Sequence, residues 1–223
     1  MSTINRPAPS LIKKTRGRPL SPCESGASEL LRVARKIFAK RGFHATSVRE
    51  IARDANVDAA LIAHHFGSKD AIWTAVLGQV VEQTTEMIAQ THALRSTDLS
   101  PRKRVEAALA LLIAQVFREP DFGMFFSTAA TEEGARLDAL VDGLVIPYQA
   151  VFAPLLRDAA EANEITIVDV DVMGAMLINA ITKTVSYSHL LGKFSALPQD
   201  ATKFQSAVLA TALSMLSVPT SQT

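Results

Sequence analysis

The sequence predicts an all-α protein in two parts, a short three-helix head and a larger helical body. Three observations carry that prediction. Apolar residues recur at helical spacing through the first third of the chain, and capping residues bound each run. Beyond Lys69 the pattern stays helical and is interrupted only at short breaks. Charge is also divided between the parts: Met1 to Lys69 carries 13 Lys or Arg against 5 Asp or Glu, net +8, whereas Asp70 to Thr223 carries 10 against 17, net −7. The formal net charge of +1 conceals this asymmetry.

The first helix is read from SELLRVARKIFAKRGF, where Leu30, Ala34, Ile37 and Phe38 share one face and Gly42 stands where a C-terminal cap belongs. The second follows in TSVREIARDANV. Ser47 and Glu50 form a capping-box pattern ahead of the buried stripe Val48, Ile51 and Ala52. Asp58 caps a third helix whose inward positions are Ile62 and Phe66; Gly67 ends it and Ser68 caps a fourth. Two short helices joined by a tight turn behind a longer one make a helix-turn-helix, here residues 47–66 of a domain spanning 24–84.

Residues 85–223 are expected to form the body, and beyond Lys69 breaks at Ser96–Pro101, Glu119–Asp121, Thr131–Gly134, Asn163–Val168 and Ala196–Gln199 give five or six further helices. Trp73, Leu77, Val80 and Val81 fit an amphipathic fourth helix, with Trp73 packed against the head. Pro147 should kink a long helix. The last two helices, about Asp169–Leu191 and Gln199–Leu216, are rich in Ala, Met and Leu, and Gly174, Ala175 and Ala180 would permit close approach.

Composition narrows the function. A chain of 223 residues with 48% hydrophobic content can bury a sizeable core. No apolar run approaches the ~18–20 residues that span a bilayer, and the N-terminus lacks the apolar segment of a signal peptide, so a cytoplasmic protein without a membrane partner is expected. The single cysteine, Cys23, excludes an internal disulfide. The basic first third suits a polyanion such as nucleic acid; a solvated charged face would produce the same count.

The paired histidines of AHHFGSKD test these alternatives. With Ile62 and Phe66 turned inward, Ala60 and His64 point nearly opposite, Leu61 and Ala63 lie to either side, and His65 flanks the buried edge, so the imidazoles diverge. Chelation from one helix wants an i, i+4 pair, and no cysteine or carboxylate pair completes a shell, so no metal or cofactor is expected. No nucleophile stands with a matching base pattern, so no enzyme is expected either. An imidazole N–H on an exposed helix face can instead reach DNA backbone oxygens, with Lys69 following as a point charge.

At these residues the sequence resembles a family. The pattern A..IFA..GF..TSV..IA..A.V....I..HFGSK, within Leu30 to Val81, looks like the DNA-binding domain of the TetR family of bacterial transcriptional repressors. The resemblance implies a homodimer whose three N-terminal helices bind double-stranded DNA, and whose body dimerises through its last two helices and binds a small-molecule effector that releases the operator. Two departures stand out: Asn56 holds a turn position usually occupied by glycine, and Ala63 and His64 stand where tyrosines are common. Asparagine tolerates a left-handed backbone, so the turn should survive.

The DNA-contact candidates are Thr46, Ser47, Arg49, Ala59, Ala60, Leu61, His64, His65 and Lys69, with Arg16 and Arg18 of a disordered basic arm, residues 1–23. Ala59, Ala60 and Leu61 cannot make bidentate hydrogen bonds, so readout there would favour thymine methyls. KKTRGRPLSP is similar to the core of an AT-hook, which would lay Arg16 and Arg18 in a narrow A·T-rich minor groove; a generic basic tail that only neutralises phosphates fits equally. Two reading helices held one turn apart would need a pseudo-palindromic site.

The effector is not named by the sequence. Phe117, Phe122, Met124, Phe125, Phe126, Tyr148, Phe152 and Met173 could line an apolar pocket, although such stripes are ordinary core as well. Thr182, Lys183, Ser186, Tyr187 and His189 are polar in an apolar helix and could face a ligand, a dimer partner or water. A DNA-binding regulator without an effector is the alternative.

Overall fold

The computed structural model describes residues 22–216, and they are helical throughout with short connections. The head is α1 (Pro22–Arg41), α2 (Val48–Asp54) and α3 (Ala59–Phe66). The 25-residue α4 (Lys69–Ala93) leaves the head and runs into the body as a shared spine. Its stripe Ile72, Trp73, Val76, Leu77, Val80 and Met87 is buried. Trp73 is 2% exposed, and its aromatic neighbour is Phe125 of the body, 6.1 Å between ring centres. It therefore joins the two parts rather than packing on the head alone.

The body comprises α5 (Pro101–Arg118), α6 (Pro120–Ala129), α7 (Ala135–Leu140), α8 (Ile146–Glu161), α9 (Val170–Ser186), α10 (Ser188–Leu191) and α11 (Ala201–Ser214). Three of the long helices start where a polar side chain can satisfy free N–H groups. Ser100 accepts from Lys103 N–H, Asp169 from Val172 N–H and Asp200 from Lys203 N–H. Pro101 and Pro120 occupy first helical positions, where a missing N–H costs nothing.

Two composite helices explain the departures from expectation. Val141–Val145 is a π turn that joins α7 to α8, so residues 135–161 run as one helix through Pro147. Pro147 thus falls in the first turn after the π segment, so the proline and the irregular hydrogen bonding are adjacent within one continuous helix. Likewise the helix expected over Asp169–Leu191 pauses at Tyr187 and resumes as α10. Counting each composite once gives six helices after α3. By length and composition the 135–161 helix could cross a membrane, which the sequence reading had not anticipated; here α8 packs against α4, α5 and α9.

One continuous apolar core runs from Leu30 of α1 to Leu216, with Phe38, Phe125 and Phe152 essentially inaccessible. The tightest crossing is α6 on α9. A Cβ on Gly123 would lie 2.2 Å from Ser186 Oγ and 2.9 Å from the Thr182 carbonyl, so only glycine fits. Gly174 faces the Gln149 side chain and Leu156 of α8, where a Cβ would make ordinary contacts at 3.5 and 3.7 Å.

Candidate nucleic-acid interface and effector cavity

The helix-turn-helix is held by local hydrogen bonds. Ser47 accepts from Glu50 N–H at 3.2 Å while the Glu50 carboxylate accepts from Ser47 N–H at 3.0 Å, a complete capping box. Those donors, with the Arg41 guanidinium nearby, hold the Glu50 carboxyl below its ordinary range. In the turn Asn56 adopts φ +54°, and the N–H of Val57 reaches Ala52 O at 2.9 Å. Asparagine thus supplies the left-handed residue that the turn requires. Asp58 accepts from Ala60 N–H at 2.7 Å to start α3, and Gly67, φ +75°, ends it.

Ile62 is 1% exposed and Phe66 packs half-buried against the core, so α3 is oriented as its spacing predicts. The opposite face carries Ala60, Ala63, His64 and His65, all exposed. Ala59 instead packs half-buried on the core. The imidazoles of His64 and His65 do not diverge: they meet edge to face with ring centres 5.6 Å apart, and His65 lies further out than expected. No cluster of three metal-ligating side chains occurs among the described residues. Ser47 and Arg49 are exposed beside this face, at the start of α2.

Two of the chosen residues point inward. Thr46 is 3% exposed and its hydroxyl donates to Gly42 O at 2.8 Å. Lys69 Nζ donates to Phe43 O and Thr46 O, each at 2.9 Å, and lies 4.2 Å from the Phe43 ring centre. Its charge ties the α1–α2 loop to α4 instead of standing free for phosphate, because two carbonyls and an aromatic face lie within its reach. Arg16 and Arg18 lie outside the described residues, as does the side chain of Leu61.

The body holds an apolar cavity of about 60 Å³. Its walls are i, i+4 pairs from three helices: Phe122 and Phe126 of α6, Leu144 and Tyr148 across the π turn, and Ile178 and Thr182 of α9. Met87 of α4, Leu112 of α5, Val145 and Gln149 complete it. Tyr148 is stacked on Phe152 at 5.5 Å, and its buried hydroxyl has no hydrogen-bond partner; burial pushes its pKa well above the ordinary phenol range. The Thr182 hydroxyl is already engaged, donating to Ile178 O at 2.7 Å.

Of the effector candidates, Phe122, Phe126 and Tyr148 come together here. Phe125 and Phe152 are buried core, Phe117 packs on Phe204 of α11 at 5.3 Å between ring centres, and Met124 and Met173 pack partly buried against the core. Lys183 and Tyr187 line a shallow surface groove with Ser127, Thr128, Thr131 and Leu190, away from the cavity. Met87, Leu112, Leu144, Gln149 and Ile178 were not singled out by the sequence. Their i, i+4 spacing was visible, but which faces meet was not.

A capped helix-turn-helix with one apolar face seated on a supporting bundle and the other free defines a helix-turn-helix DNA-binding protein. The family profile "Bacterial regulatory proteins, tetR family" matches residues 30–76. The HTH-type transcriptional repressor Rv3405c of Mycobacterium tuberculosis is 30% identical over 175 residues, covering 72% of this chain and 88% of the relative. The HTH-type transcriptional activator FasR of Mycolicibacterium smegmatis is 36% identical over 88 residues, 40% of this chain and 39% of the relative. Among solved structures, HlyIIR, a hemolysin II transcriptional regulator, superposes with a TM-score of 0.64 at 18% identity, covering 88% of this chain and 99% of that one. A TetR-like transcriptional regulator from Rhodococcus sp. RHA1 gives 0.63 at 20% identity, covering 86% and 96%. The chain belongs to the TetR family of bacterial regulatory proteins, which bind DNA as dimers and regulate transcription.

Proposed function

We propose that this chain is a dimeric transcriptional repressor that reads a pseudo-palindromic operator through α3 and lets go when a small apolar effector occupies the body. The single observation that carries the DNA half is the orientation of α3, with Ile62 and Phe66 inward and Ala60, Ala63, His64 and His65 outward. With so few polar side chains on that face, base readout rests on apolar contact with thymine methyls, on imidazole donors, and on Arg49 and Ser47 beside them. Arg16 and Arg18 would add phosphate or minor-groove contacts. The head is taken as residues 24–84 and the body as 85–223.

A dimer seam on the last helices is supported by an exposed stripe on α9. Val172 and Met176 are 58% and 52% exposed, and Ala175, Ala180 and Thr184 lie along the same side. Beside it runs an apolar groove of about 180 Å³ between α9 and α11, walled by Ala180, Leu191, Phe204 and Val208. The effector reading is supported by a wholly uncharged cavity lining and by the unpaired Tyr148 hydroxyl. At about 60 Å³ the cavity is well below the ~300–1,000 Å³ of ligand pockets, so an effector must widen it. Repression is favoured over activation because the relative named a repressor aligns through head and body, whereas the one named an activator aligns over 88 residues.

Selection of bound fragments from genomic DNA tests this reading. Enrichment of an inverted repeat with half-sites about one helical turn apart (~34–36 Å) is expected. Absence of any enriched fragment at low ionic strength would defeat it.

A further inference from the structure

The head and body are joined by a polar cluster that the DNA-binding reading does not use. Arg136, in the first turn of α7, reaches three segments at once. Its Nε donates to Glu132 at 2.9 Å, one terminal nitrogen donates to Asp70 in the first turn of α4 at 2.9 Å, and the other lies 3.3 Å from His44 Nε2. The guanidinium carbon stands 3.8 Å from the centre of the Phe43 ring, which also carries Lys69 at 4.2 Å. Glu132 is buried, with its side chain 6% exposed, and it accepts from Phe43 N–H at 3.4 Å. Phe43 therefore lies against two cations, and its own carbonyl is bound by Lys69, which also binds Thr46 O. Thr46 is the residue immediately before the capping box of α2. A chain of direct contacts thus links Arg136, through Phe43 and Lys69 of the α1–α2 loop and α4, to the start of the helix-turn-helix.

Arg136 also belongs to the helix that walls the cavity. Leu144 and Val145 follow it by eight and nine residues on the continuous 135–161 helix, about 12 Å along the axis at 1.5 Å per residue. Both cavity residues belong to the π turn Val141–Val145, a rare feature often found at functional places within helices. Other straps run in parallel, from Thr128 Oγ1 of α6 to Ala39 O of α1 at 2.8 Å and from Arg35 of α1 to Gln83 and Glu119 at 2.7 and 2.6 Å, but these bonds hold α1 and include no residue of the α1–α2 loop or of α2.

We propose that Arg136 is the positioning residue through which the cavity-lining helix sets the placement of the DNA-binding head. This rests on the DNA-binding reading above. Heads held at fixed separation engage two half-sites together, whereas loosened heads keep their individual attraction for phosphate but lose the joint fit. The signature is loss of discrimination between operator and unrelated DNA, with non-specific binding retained.

The test uses full-length protein, the fragment recovered by the selection above, and an unrelated duplex of equal length. Arg136→Ala should weaken operator binding about tenfold while leaving binding to the unrelated duplex within about twofold, with helicity and dimerisation unchanged. Arg136→Lys, which keeps the charge and loses the planar fork, should recover part of the loss. Asp70→Asn, which alters only the head side of the contact, should move discrimination in the same direction even if Arg136→Ala proves unstable. Ile178→Phe crowds the cavity from the opposite wall; it should weaken operator binding about fivefold in the natural background and add less than about twofold to Arg136→Ala. Operator binding by Arg136→Ala and Asp70→Asn at the natural level overturns the proposal, and so does equal loss on both duplexes. An Ile178→Phe effect that is absent, or that adds in full, overturns the transmission from the cavity. Failure of the natural protein to enrich any fragment would instead defeat the DNA-binding reading itself.

Discussion

The head and the body are both helical, yet they spend their polar groups differently. In the head, the capping side chains of α2, α3 and α4 close local bonds: Ser47 with Glu50, Asp58 with Ala60, Ser68 with Ala71, all within three residues. In the body, the informative polar groups either bridge distant segments, as Arg95 does to Asp158, or stay unpaired, as Tyr148 does. The head is a shape specified by short-range bonds and presented to a partner. The body is a packed core in which Ser127, Tyr148 and Ser186 carry buried hydroxyls without a partner among the described residues, that of Tyr148 beside a small void, and a buried donor without an acceptor costs stability unless something else uses it.

The sharpest way to break this comparison is to hollow each part in turn. Phe152→Ala, deep in the body, should lower unfolding stability by about 3–5 kcal/mol in urea titration, since Phe152 is fully buried and stacked on Tyr148. A loss under about 1 kcal/mol would mean that the body core tolerates large voids. Next comes the seam between the parts. Arg35 is 2% exposed and binds Gln83 and Glu119 at 2.7 and 2.6 Å. Arg35→Ala should cost about 2 kcal/mol, below the usual figure for a fully buried pair because the Glu119 side chain is 30% exposed to water. Thermal melting should show the loss, and an unchanged midpoint would refute it.

Smaller effects sharpen the contrast. Ser47→Ala should remove about 1 kcal/mol by uncapping α2 and should reduce amide protection at Glu50 before anything in the body responds. Tyr148→Phe should go the other way, stabilising by up to about 1 kcal/mol, because it removes a buried donor without disturbing the ring. A clear destabilisation by Tyr148→Phe would show that its hydroxyl is satisfied. The smallest effect expected is in acid. Hydrogen bonds from Arg95 hold the Asp158 carboxyl below its ordinary value, so the pair contributes fully above that value and is lost as pH falls through the depressed one. With Arg95 more than half exposed, Asp158→Asn should cost less than about 1 kcal/mol at neutral pH and nothing measurable once the pH lies below the depressed value.

How much of this was legible in the chain follows from the same contrast. The capping box, the Asp58 cap, the Gly67 stop and the inward turn of Ile62 and Phe66 were all readable, because each depends on residues fewer than five positions apart. The bonds of Lys69 are not legible in the same way: its partners, Phe43 O and Thr46 O, are set by how the α1–α2 loop folds back on α4, and spacing on a helix face says nothing of that. The π turn just before Pro147 was not legible either, because no residue pattern within one or two turns announces it.

By itself the sequence determined an all-helical chain, the helix-turn-helix and its exposed face, and membership of a DNA-binding family, because periodicity and caps act over one or two turns and a dense local motif survives divergence. Only the tertiary structure decided that Phe122, Tyr148 and Thr182 share a cavity, that Lys183 and Tyr187 do not, and that Arg136 grips Phe43 and Asp70. Those pairings join residues 26 to 93 positions apart, and which helix faces meet across such distances is settled by packing the core as a whole.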